Sequence, residues 1–220
     1  MKGKHEICNM QILLIAATEA EIQPFSDSNA GFDVLISGIG IPSSIYHLQK
    51  RIQQVDYDLI IQAGIAGSFN KKIRPGQTVL VKQDIFGDLG MEEDNNFTSI
   101  FDSGLMNKNE FPFENGWLVN TNELLESSDL LPVKAVTVNK VSDSEIQKQQ
   151  LIKQFNADIE SMEGAALHYV CLQENIPFIQ IRTVSNDVGE RDKKKWMMNE
   201  SIENLNTELQ KLINKITAQV

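Results

Sequence analysis

Short apolar runs alternate with segments of helical spacing along the chain, and this alternation restricts the fold more than any other feature. Six runs rich in β-branched residues or leucine predict strands, at 10–16, 32–37, 58–64, 77–86, 133–139 and 176–185. Helical periodicity predicts helices at 42–55, 144–155, 162–175 and 196–216. Because the strands are continuously apolar, we expect an α/β fold in which helices cover both faces of the sheet.

The length of 220 residues fits one domain better than two. We expect residues 1–9 to be an N-terminal tail and residues 10–220 to be a single α/β domain. The interval 88–118 has neither period, yet it contains four phenylalanines and a tryptophan. Long structureless loops are uncommon in compact domains, so we expect this interval to be a functional loop or lid.

Charge and composition exclude several classes of function. The formal net charge of −10 repels phosphate backbones, so we expect no nucleic-acid partner. No apolar run is long enough to span a bilayer, and the N-terminal stretch lacks a small-residue cleavage site, so we expect a cytoplasmic protein without a membrane partner. Cys8 and Cys171 lie far apart and the three histidines form no ligand cluster, so we expect no metal and no cofactor.

Two glycine turns follow predicted strands. SGIGIPSS contains Gly38 and Gly40 before a helix, and GIAGS (64–68) follows the third strand. Such turns let the backbone approach a ligand, and both are expected at the same edge of the sheet. The first is one step from a dinucleotide-binding fingerprint. However, Asp56 and Asp58, the acidic residues at the expected distance, precede a strand instead of ending one, which argues against a nicotinamide cofactor.

Two glutamates follow strands, and each also has a purely structural explanation. Thr18 and Glu21 form a capping-box pattern, in which the glutamate bonds back to a backbone N–H. Glu163 opens a predicted helix, where the macrodipole favours a carboxylate. Arg182 lies within a buried strand and is expected to be a structural ion-pair partner. The spacing alone leaves both explanations of each glutamate open.

Five motifs occur in a fixed order, each after a predicted strand: TEAE, SGIG, GIAG, SMEGAA and VSND. Together they resemble the purine nucleoside phosphorylase and nucleosidase superfamily over residues 10–216. Within it the chain is similar to methylthioadenosine/S-adenosylhomocysteine nucleosidases, and more similar to futalosine hydrolases because of DLGMEE (88–93) and the SN…VGERD…W run (185–196). The resemblance implies a three-layer α/β/α sandwich with a mixed central sheet, usually assembled as a homo-oligomer.

The resemblance also implies an activity, the hydrolysis of futalosine to hypoxanthine and dehypoxanthine futalosine in menaquinone biosynthesis. Glu21 matches the glutamate that activates water, and Glu163 matches the one that accepts hydrogen bonds from the ribose hydroxyls. The further substrate-binding residues implied are Gly38, Gly40, Gly64, Ala66, Gly67, Phe86, Val141, Ser142, Ser161, Met162, Ser185 and Arg191.

Asn186 bears on which base is released. Similar adenosine-type nucleosidases have Ser-Asp at this place, where an aspartic acid can protonate the purine, and an asparagine cannot. Its amide instead offers an acceptor and a donor that match N7–H and O6 of hypoxanthine, which predicts a 6-oxopurine base. A one-position shift would turn Asp187 toward the base and restore adenine specificity. We favour the alternative, that Asp187 is a solvated loop residue or a helix cap.

Futalosine also carries an aromatic carboxylate beyond its 5′ carbon. Arg191 is the best-placed cation for a bidentate clamp, with an ion pair to Asp192 as the structural alternative. Phe86, Phe97 and Trp196 are candidates for lining an aromatic pocket at this end of the substrate, although they could equally form core or subunit contacts.

The choice between hydrolase and phosphorylase rests on charge. Phosphorylases similar to this chain place arginine before the third-strand glycine turn, where this chain has the neutral Gln62. Glu21 would also repel a phosphate anion, so water is the expected nucleophile. The alternatives are an adenine-releasing methylthioadenosine/S-adenosylhomocysteine nucleosidase, a purine nucleoside phosphorylase, or a non-catalytic module that binds a nucleoside or dinucleotide.

Overall fold

The computed structural model describes residues 10–94, 96–190 and 192–218, so the predicted tail and Arg191 lie outside the described residues. The strands are β1 (Ile12–Ala16), β2 (Asp33–Ile36), β3 (Leu59–Ser68), β4 (Thr78–Phe86), β5 (Gly90–Glu93), β6 (Asn96–Ser99), β7 (Leu118–Val119), β8 (Leu131–Thr137), β9 (Ile159–Ser161) and β10 (Phe178–Asp187). The helices are α1 (Glu19–Ser28), α2 (Ile41–Ile52), α3 (Glu145–Phe155), α4 (Gly164–Gln173) and α5 (Met198–Thr217), with short 3-10 helices at Glu123–Ser127 and Lys193–Lys195.

Eight strands form one mixed sheet in the order β10-β4-β8-β9-β3-β1-β2, and β7 pairs with β4. β1 pairs in parallel with β2 and β3, and β3 pairs in parallel with β10. The β3–β9 and β4–β10 pairs are antiparallel. Because β10 also pairs with β3, the strands β10, β4, β8, β9 and β3 form a closed ring. The predicted mixed α/β sheet is confirmed.

Alternate residues of the central strands pack into two separate cores, one on each face of the sheet. Ile12 and Leu14 of β1 lie in the core that α1 and α5 cover. Leu13 and Ile15 lie in the core that α2 and α4 cover. Burial on both faces explains why the strand is apolar at every position. The three-layer α/β/α arrangement is therefore confirmed.

The predicted strands and helices are all present, with ends displaced by a few residues. The sequence pattern missed β9, because three residues are too few to show a period. β10 continues to Asp187, two residues beyond its predicted end, and this extension brings Asn186 into the sheet.

None of the helices in the described ranges is both long and apolar enough to cross a membrane.

The interval 88–118 is more ordered than its sequence predicts. It contains the β5–β6 hairpin, and its later part packs through aromatic contacts onto the body of the domain. The ring of Phe113 lies 6.5 Å from that of Phe86 and 6.1 Å from that of Tyr169 on α4. Hydrophobic packing accounts for Phe97, Phe101 and Phe113, whereas Phe111 is exposed.

Candidate active site

A cavity of about 510 Å³ lies at the carboxyl ends of the parallel strands β1, β3 and β10. Ligands collect at this edge of open α/β sheets because several chain segments diverge there. The predicted residues that line the cavity are Glu21, Ala66, Gly67, Val141, Ser142, Ser161, Met162, Glu163, Ser185 and Asn186. The structure thus brings together the two glutamates and the asparagine that the sequence motifs single out.

Glu21 both caps helix α1 and lines the cavity. Its Oε2 accepts hydrogen bonds from Thr18 N–H at 3.0 Å and from Thr18 Oγ1 at 3.1 Å. Its Oε1 accepts one from Ile65 N–H at 3.1 Å. The side chain is 7% exposed and is held from two strand ends. Glu21 thus caps the helix and also lines the cavity, and each of its two carboxylate oxygens accepts at least one hydrogen bond from the protein.

Glu163 stands at the start of α4, and its carboxylate makes one hydrogen bond and one ion pair. Oε1 accepts a hydrogen bond from Gly40 N–H at 3.0 Å, and Oε2 lies 3.7 Å from Arg182 Nη1. Burial raises the pKa of this carboxyl, although the Arg182 guanidinium opposes the rise. The predicted glycine turn at Gly40, where φ is +89°, thus supplies a backbone donor to the glutamate instead of a cavity wall.

Arg182 is fully buried and supplies the positive charge beneath the two glutamates. Its Nη2 donates to Gln62 Oε1 at 2.7 Å, and the predicted ion pair is made with Glu163. A Cβ on Gly64 would overlap Arg182 Nη1 and lie 3.0 Å from Glu21 Oε1. Only glycine leaves room for the guanidinium here. We call Glu21, Glu163 and Arg182 the charged floor.

Asn186 lines the cavity with an amide whose orientation is fixed by its neighbours. Its Nδ2 donates to the carbonyl oxygen of Asp187 at 2.9 Å, and its Oδ1 accepts from Ser185 Oγ at 2.8 Å. A carbonyl can only accept, so the nitrogen must face it. The Asp187 side chain is solvated and does not line the cavity, although the residue ends β10 and does not lie in a loop.

Glu160 on β9 is a cavity residue that the sequence analysis missed. It is 5% exposed, and its carboxylate accepts hydrogen bonds from Ser142 N–H at 3.0 Å and from Ser142 Oγ at 2.6 Å. The available signal was an acidic residue within the buried run Ile159–Ser161, but that strand is too short for a pattern to reveal.

A second layer of buried polar side chains lies behind the charged floor. Asp84 Oδ1 accepts from Thr137 Oγ1 at 2.9 Å, and Gln180 Nε2 donates to Asp84 Oδ2 at 3.4 Å. Burial raises the pKa of Asp84 to about 7 and lowers that of His168 to about 4. A Cβ on Gly164 would overlap both Asp84 and Gln180, so the glycine after Glu163 lets this layer approach the start of α4.

Several predicted residues lie elsewhere. Phe86 packs against Phe113 and Tyr169 and does not line the cavity, because its side chain at the end of β4 turns into an aromatic cluster. Gly38, with φ at +77°, shapes the turn before α2 without lining the cavity. Phe97 packs in another core, and none of the described residues of 88–118 lines the cavity. Arg191 lies outside the described residues.

The opposite side of the cavity is formed by the segment that leads into α5. We call Lys193, Trp196, Met198 and Ile202 the outer wall. Trp196 Nε1 donates to the Glu190 carbonyl at 2.8 Å, which fixes the indole ring. Among the residues that the structure describes, Lys193 is the one cation that lines the cavity. The same residues contain no group of three or more histidines, cysteines and carboxylates arranged to hold a metal ion.

The chain is similar to known nucleosidases in sequence and in fold. It is 27% identical to futalosine hydrolase of Thermus thermophilus over 83% of this chain and 81% of that protein. It is 26% identical to 5′-methylthioadenosine/S-adenosylhomocysteine nucleosidase of Buchnera aphidicola over 74% of this chain and 66% of that protein. The solved structure of futalosine hydrolase of Helicobacter pylori matches its fold with a TM-score of 0.81, at 17% identity, over 94% of this chain and 98% of the other. The model of the phosphorylase superfamily matches residues 33–218, and the chain therefore belongs to that superfamily.

Proposed function

We propose that this protein is a nucleosidase that hydrolyses the N-glycosidic bond of a 6-oxopurine nucleoside, with futalosine as the substrate. The products are hypoxanthine and dehypoxanthine futalosine, which places the reaction in menaquinone biosynthesis. The observation that carries the proposal is that Glu21, Glu163 and Asn186 line one cavity, in a chain similar to futalosine hydrolases.

The three side chains have separate roles in this proposal. Glu21 takes a proton from a water that attacks C1′ of the ribose. Glu163 accepts hydrogen bonds from the ribose hydroxyls, and these bonds strengthen as positive charge develops on the sugar. The electrons of the broken C–N bond pass to the purine, which takes up a proton from solvent. Asn186 stabilises the departing base, because its Oδ1 accepts from N7–H while its Nδ2 donates to O6.

The electrostatics of the charged floor support water over phosphate as the nucleophile. Arg182 is buried and lies beside Glu21 and Glu163, so its charge is already balanced by carboxylates. A phosphate dianion beneath the ribose would lie against the Glu21 carboxylate in a site of low dielectric, which is unfavourable. Gln62 is neutral and is bonded to Arg182, so it adds no cation to the cavity.

The outer wall supports a substrate with an extended 5′ substituent. Trp196, Met198 and Ile202 offer apolar contact, and Lys193 offers a positive charge to a carboxylate. The predicted clamp by Arg191 remains a proposal for the same end of the substrate. The predicted homo-oligomer also remains a prediction, and size-exclusion chromatography with light scattering would test it.

The decisive experiment is a substrate panel. The purified protein is incubated with futalosine, inosine and methylthioadenosine, with and without phosphate, and the released base and sugar are identified by chromatography and mass spectrometry. We expect hypoxanthine from futalosine at a rate that does not depend on phosphate. A ribose 1-phosphate product would overturn the hydrolase assignment. Tight binding without any released base would indicate a non-catalytic binding module.

An adenine-releasing nucleosidase is the second candidate, because the chain is also similar to the methylthioadenosine/S-adenosylhomocysteine nucleosidase of Buchnera aphidicola. It predicts adenine from methylthioadenosine at a rate above that of hypoxanthine from futalosine. The Asn186 amide argues against it, since an amide cannot supply the proton that an adenine leaving group needs.

A further inference from the structure

We infer that Asn206 of α5 is a positioning residue for Glu21, and that it acts by holding the backbone of this glutamate in place. The inference deepens the proposed function and rests on the role of Glu21 given there. It begins from a buried amide that bonds three backbone groups, one of which belongs to the proposed general base.

Both ends of the Asn206 amide have partners within the protein. Its Nδ2 donates to the carbonyl oxygen of Glu21 at 2.9 Å and to that of Ile202 at 2.7 Å. Its Oδ1 accepts from the N–H of Phe25 at 3.0 Å. Carbonyl oxygens only accept and a backbone N–H only donates, so these partners fix the orientation of the amide. An unmatched amide would be costly at this buried position, so the side chain is held firmly between α1 and α5.

The amide joins two backbone groups that an α-helix normally pairs with each other. In a regular helix the N–H of Phe25 is the partner of the carbonyl of Glu21, four residues earlier. Asn206 bonds both groups. Pro24 lies in the same turn of α1, and it has no N–H and crowds the preceding turn with its ring. The turn that carries Glu21 therefore takes part of its support from α5.

Helix α5 is itself fastened to the end of β10. The hydroxyl of Ser201 donates to the carbonyl of Val184 at 2.9 Å, and the N–H of Met197 donates to the carbonyl of Ser185 at 2.9 Å. These bonds hold the first turn of α5 against the strand. The same helix carries the amide that holds Glu21, so the position of this glutamate depends on β10 as well as on α1.

The same amide also connects the two sides of the cavity. Ile202, whose carbonyl accepts the second N–H, belongs to the outer wall, and Glu21 belongs to the charged floor. A general base must lie within hydrogen-bond reach of the water that it activates. Because a misplacement of about 1 Å can lower a rate by about 10²-fold, a bond that fixes the backbone of the base should affect turnover.

Asn206→Leu removes these hydrogen bonds and keeps a similar volume. The N–H of Phe25 and the carbonyl of Glu21 can then pair directly, as in a regular helix, so the variant can fold. The backbone of Glu21 is no longer held from α5, however. We expect kcat for futalosine to fall by at least about tenfold, measured by hypoxanthine release.

The decisive measurement is a double-mutant cycle with Glu21→Gln. If Asn206 acts through the carboxylate of Glu21, adding Asn206→Leu to Glu21→Gln should lower the remaining kcat by less than about twofold. A substitution that merely reduces the amount of folded enzyme would lower kcat by the same factor in both backgrounds. Equal losses in the two backgrounds, or an unchanged kcat in Asn206→Leu alone, would overturn the inference.

Asn204→Leu is the matched control, because this amide lies on the same helix and also donates to a backbone carbonyl, that of Gly76 at 2.9 Å. Neither Asn204 nor Gly76 lines the cavity, so this variant should keep the kcat of the wild type. If Asn206→Leu does not fold, Asn206→Ser, which keeps one donor and an acceptor, takes its place in the cycle. Equal losses in the two backgrounds would then overturn the inference in the same way.

Failure of the inference can be told apart from failure of the proposed function. Hydrolysis of futalosine by the wild type and equally by Asn206→Leu, but not by Glu21→Gln, would remove the role of Asn206 alone. Absence of hydrolysis by the wild type would remove the proposed function. Near-normal hydrolysis by Glu21→Gln would remove the general base on which the inference rests.

Discussion

The charged floor and the outer wall face each other across one cavity, yet they are built in different ways. The floor residues lie within a strand or shortly after one, are buried, and are held by backbone N–H groups or by one another. The outer wall comes from a 3-10 turn and the start of α5, and its side chains are half-buried or exposed. A rigid scaffold thus carries the groups that need fixed geometry, whereas an irregular segment carries those that contact the rest of the ligand.

The difference is also one of charge. In the floor the buried guanidinium of Arg182 forms an ion pair with Glu163, and removing that cation would leave the Glu163 carboxylate without compensation. In the outer wall, Lys193 is exposed to solvent, where an ionic contact is worth much less. Substitutions in the floor should therefore have larger effects than substitutions in the wall.

Arg182→Met should have the largest effect. It keeps much of the side-chain volume but leaves Glu163 without its ion-pair partner and Gln62 Oε1 without its donor. We expect the free energy of unfolding to fall by about 3–5 kcal/mol, the usual result of breaking a buried ion pair, as measured by urea denaturation. Arg51→Met breaks the half-exposed pair with Asp33 and should cost at most about 1 kcal/mol. Equal losses in the two variants would contradict the special position of Arg182.

Glu21→Gln should come next, with an effect on turnover instead of folding. The amide can still accept hydrogen bonds from Ile65 N–H or Thr18, but it cannot take a proton from water. We expect kcat for futalosine to fall by about 10²-fold or more, measured by hypoxanthine release. Glu19→Gln, an exposed charge change in the same helical turn, should leave kcat unchanged. Near-normal turnover by Glu21→Gln would remove this glutamate from the mechanism.

Asp84→Asn tests the layer behind the floor through its pH dependence. Burial raises the pKa of Asp84 to about 7, whereas the ordinary value of this carboxyl is 3.8. Between these two pKa values the folded protein keeps a proton on Asp84 that the unfolded chain has lost. The contribution of Asp84 to the free energy of unfolding therefore falls as pH rises. Between pH 5 and pH 8, wild-type free energy of unfolding should fall on the order of 2 kcal/mol more than that of the variant.

The measurement is urea denaturation of both proteins at the two pH values. His168, whose pKa is lowered by burial, is present in both proteins, so its contribution cancels in the comparison. Parallel pH profiles for wild type and variant would mean that Asp84 is ionised in the folded protein at pH 5.

Trp196→Ala should have the smallest effect and should show in KM. In the proposed function the indole ring contacts the 5′ substituent and not the bond that breaks, so its loss should weaken binding without slowing chemistry. We expect KM for futalosine to rise about tenfold while kcat changes little, measured by steady-state kinetics. A fall in kcat as large as that of Glu21→Gln would mean that the outer wall positions the reacting groups. The charged floor and the outer wall would then not differ in their effect on turnover.

Much of the site was visible in the sequence because its residues lie next to strand ends. Glu21 and Glu163 each follow a strand by a few residues and Asn186 lies near the end of one, so their meeting at one sheet edge follows from the strand topology. Phe86 shows the limit of this approach, because a strand-end position does not reveal to which side the chain turns. Glu160 shows a second limit, because its three-residue strand is too short to be recognised from hydrophobic periodicity.

The sequence by itself determined the layers of the fold and the order of the motifs, because periodicity and turn residues act over neighbouring positions. It also determined which carboxylate, amide and guanidinium side chains are available for the site. Only the tertiary structure decided that Arg182 pairs with Glu163 and that Gly67 separates Glu160 from Asn186. Those contacts depend on the pairing register of strands far apart in the chain, and a shift of one residue would turn each side chain to the other face.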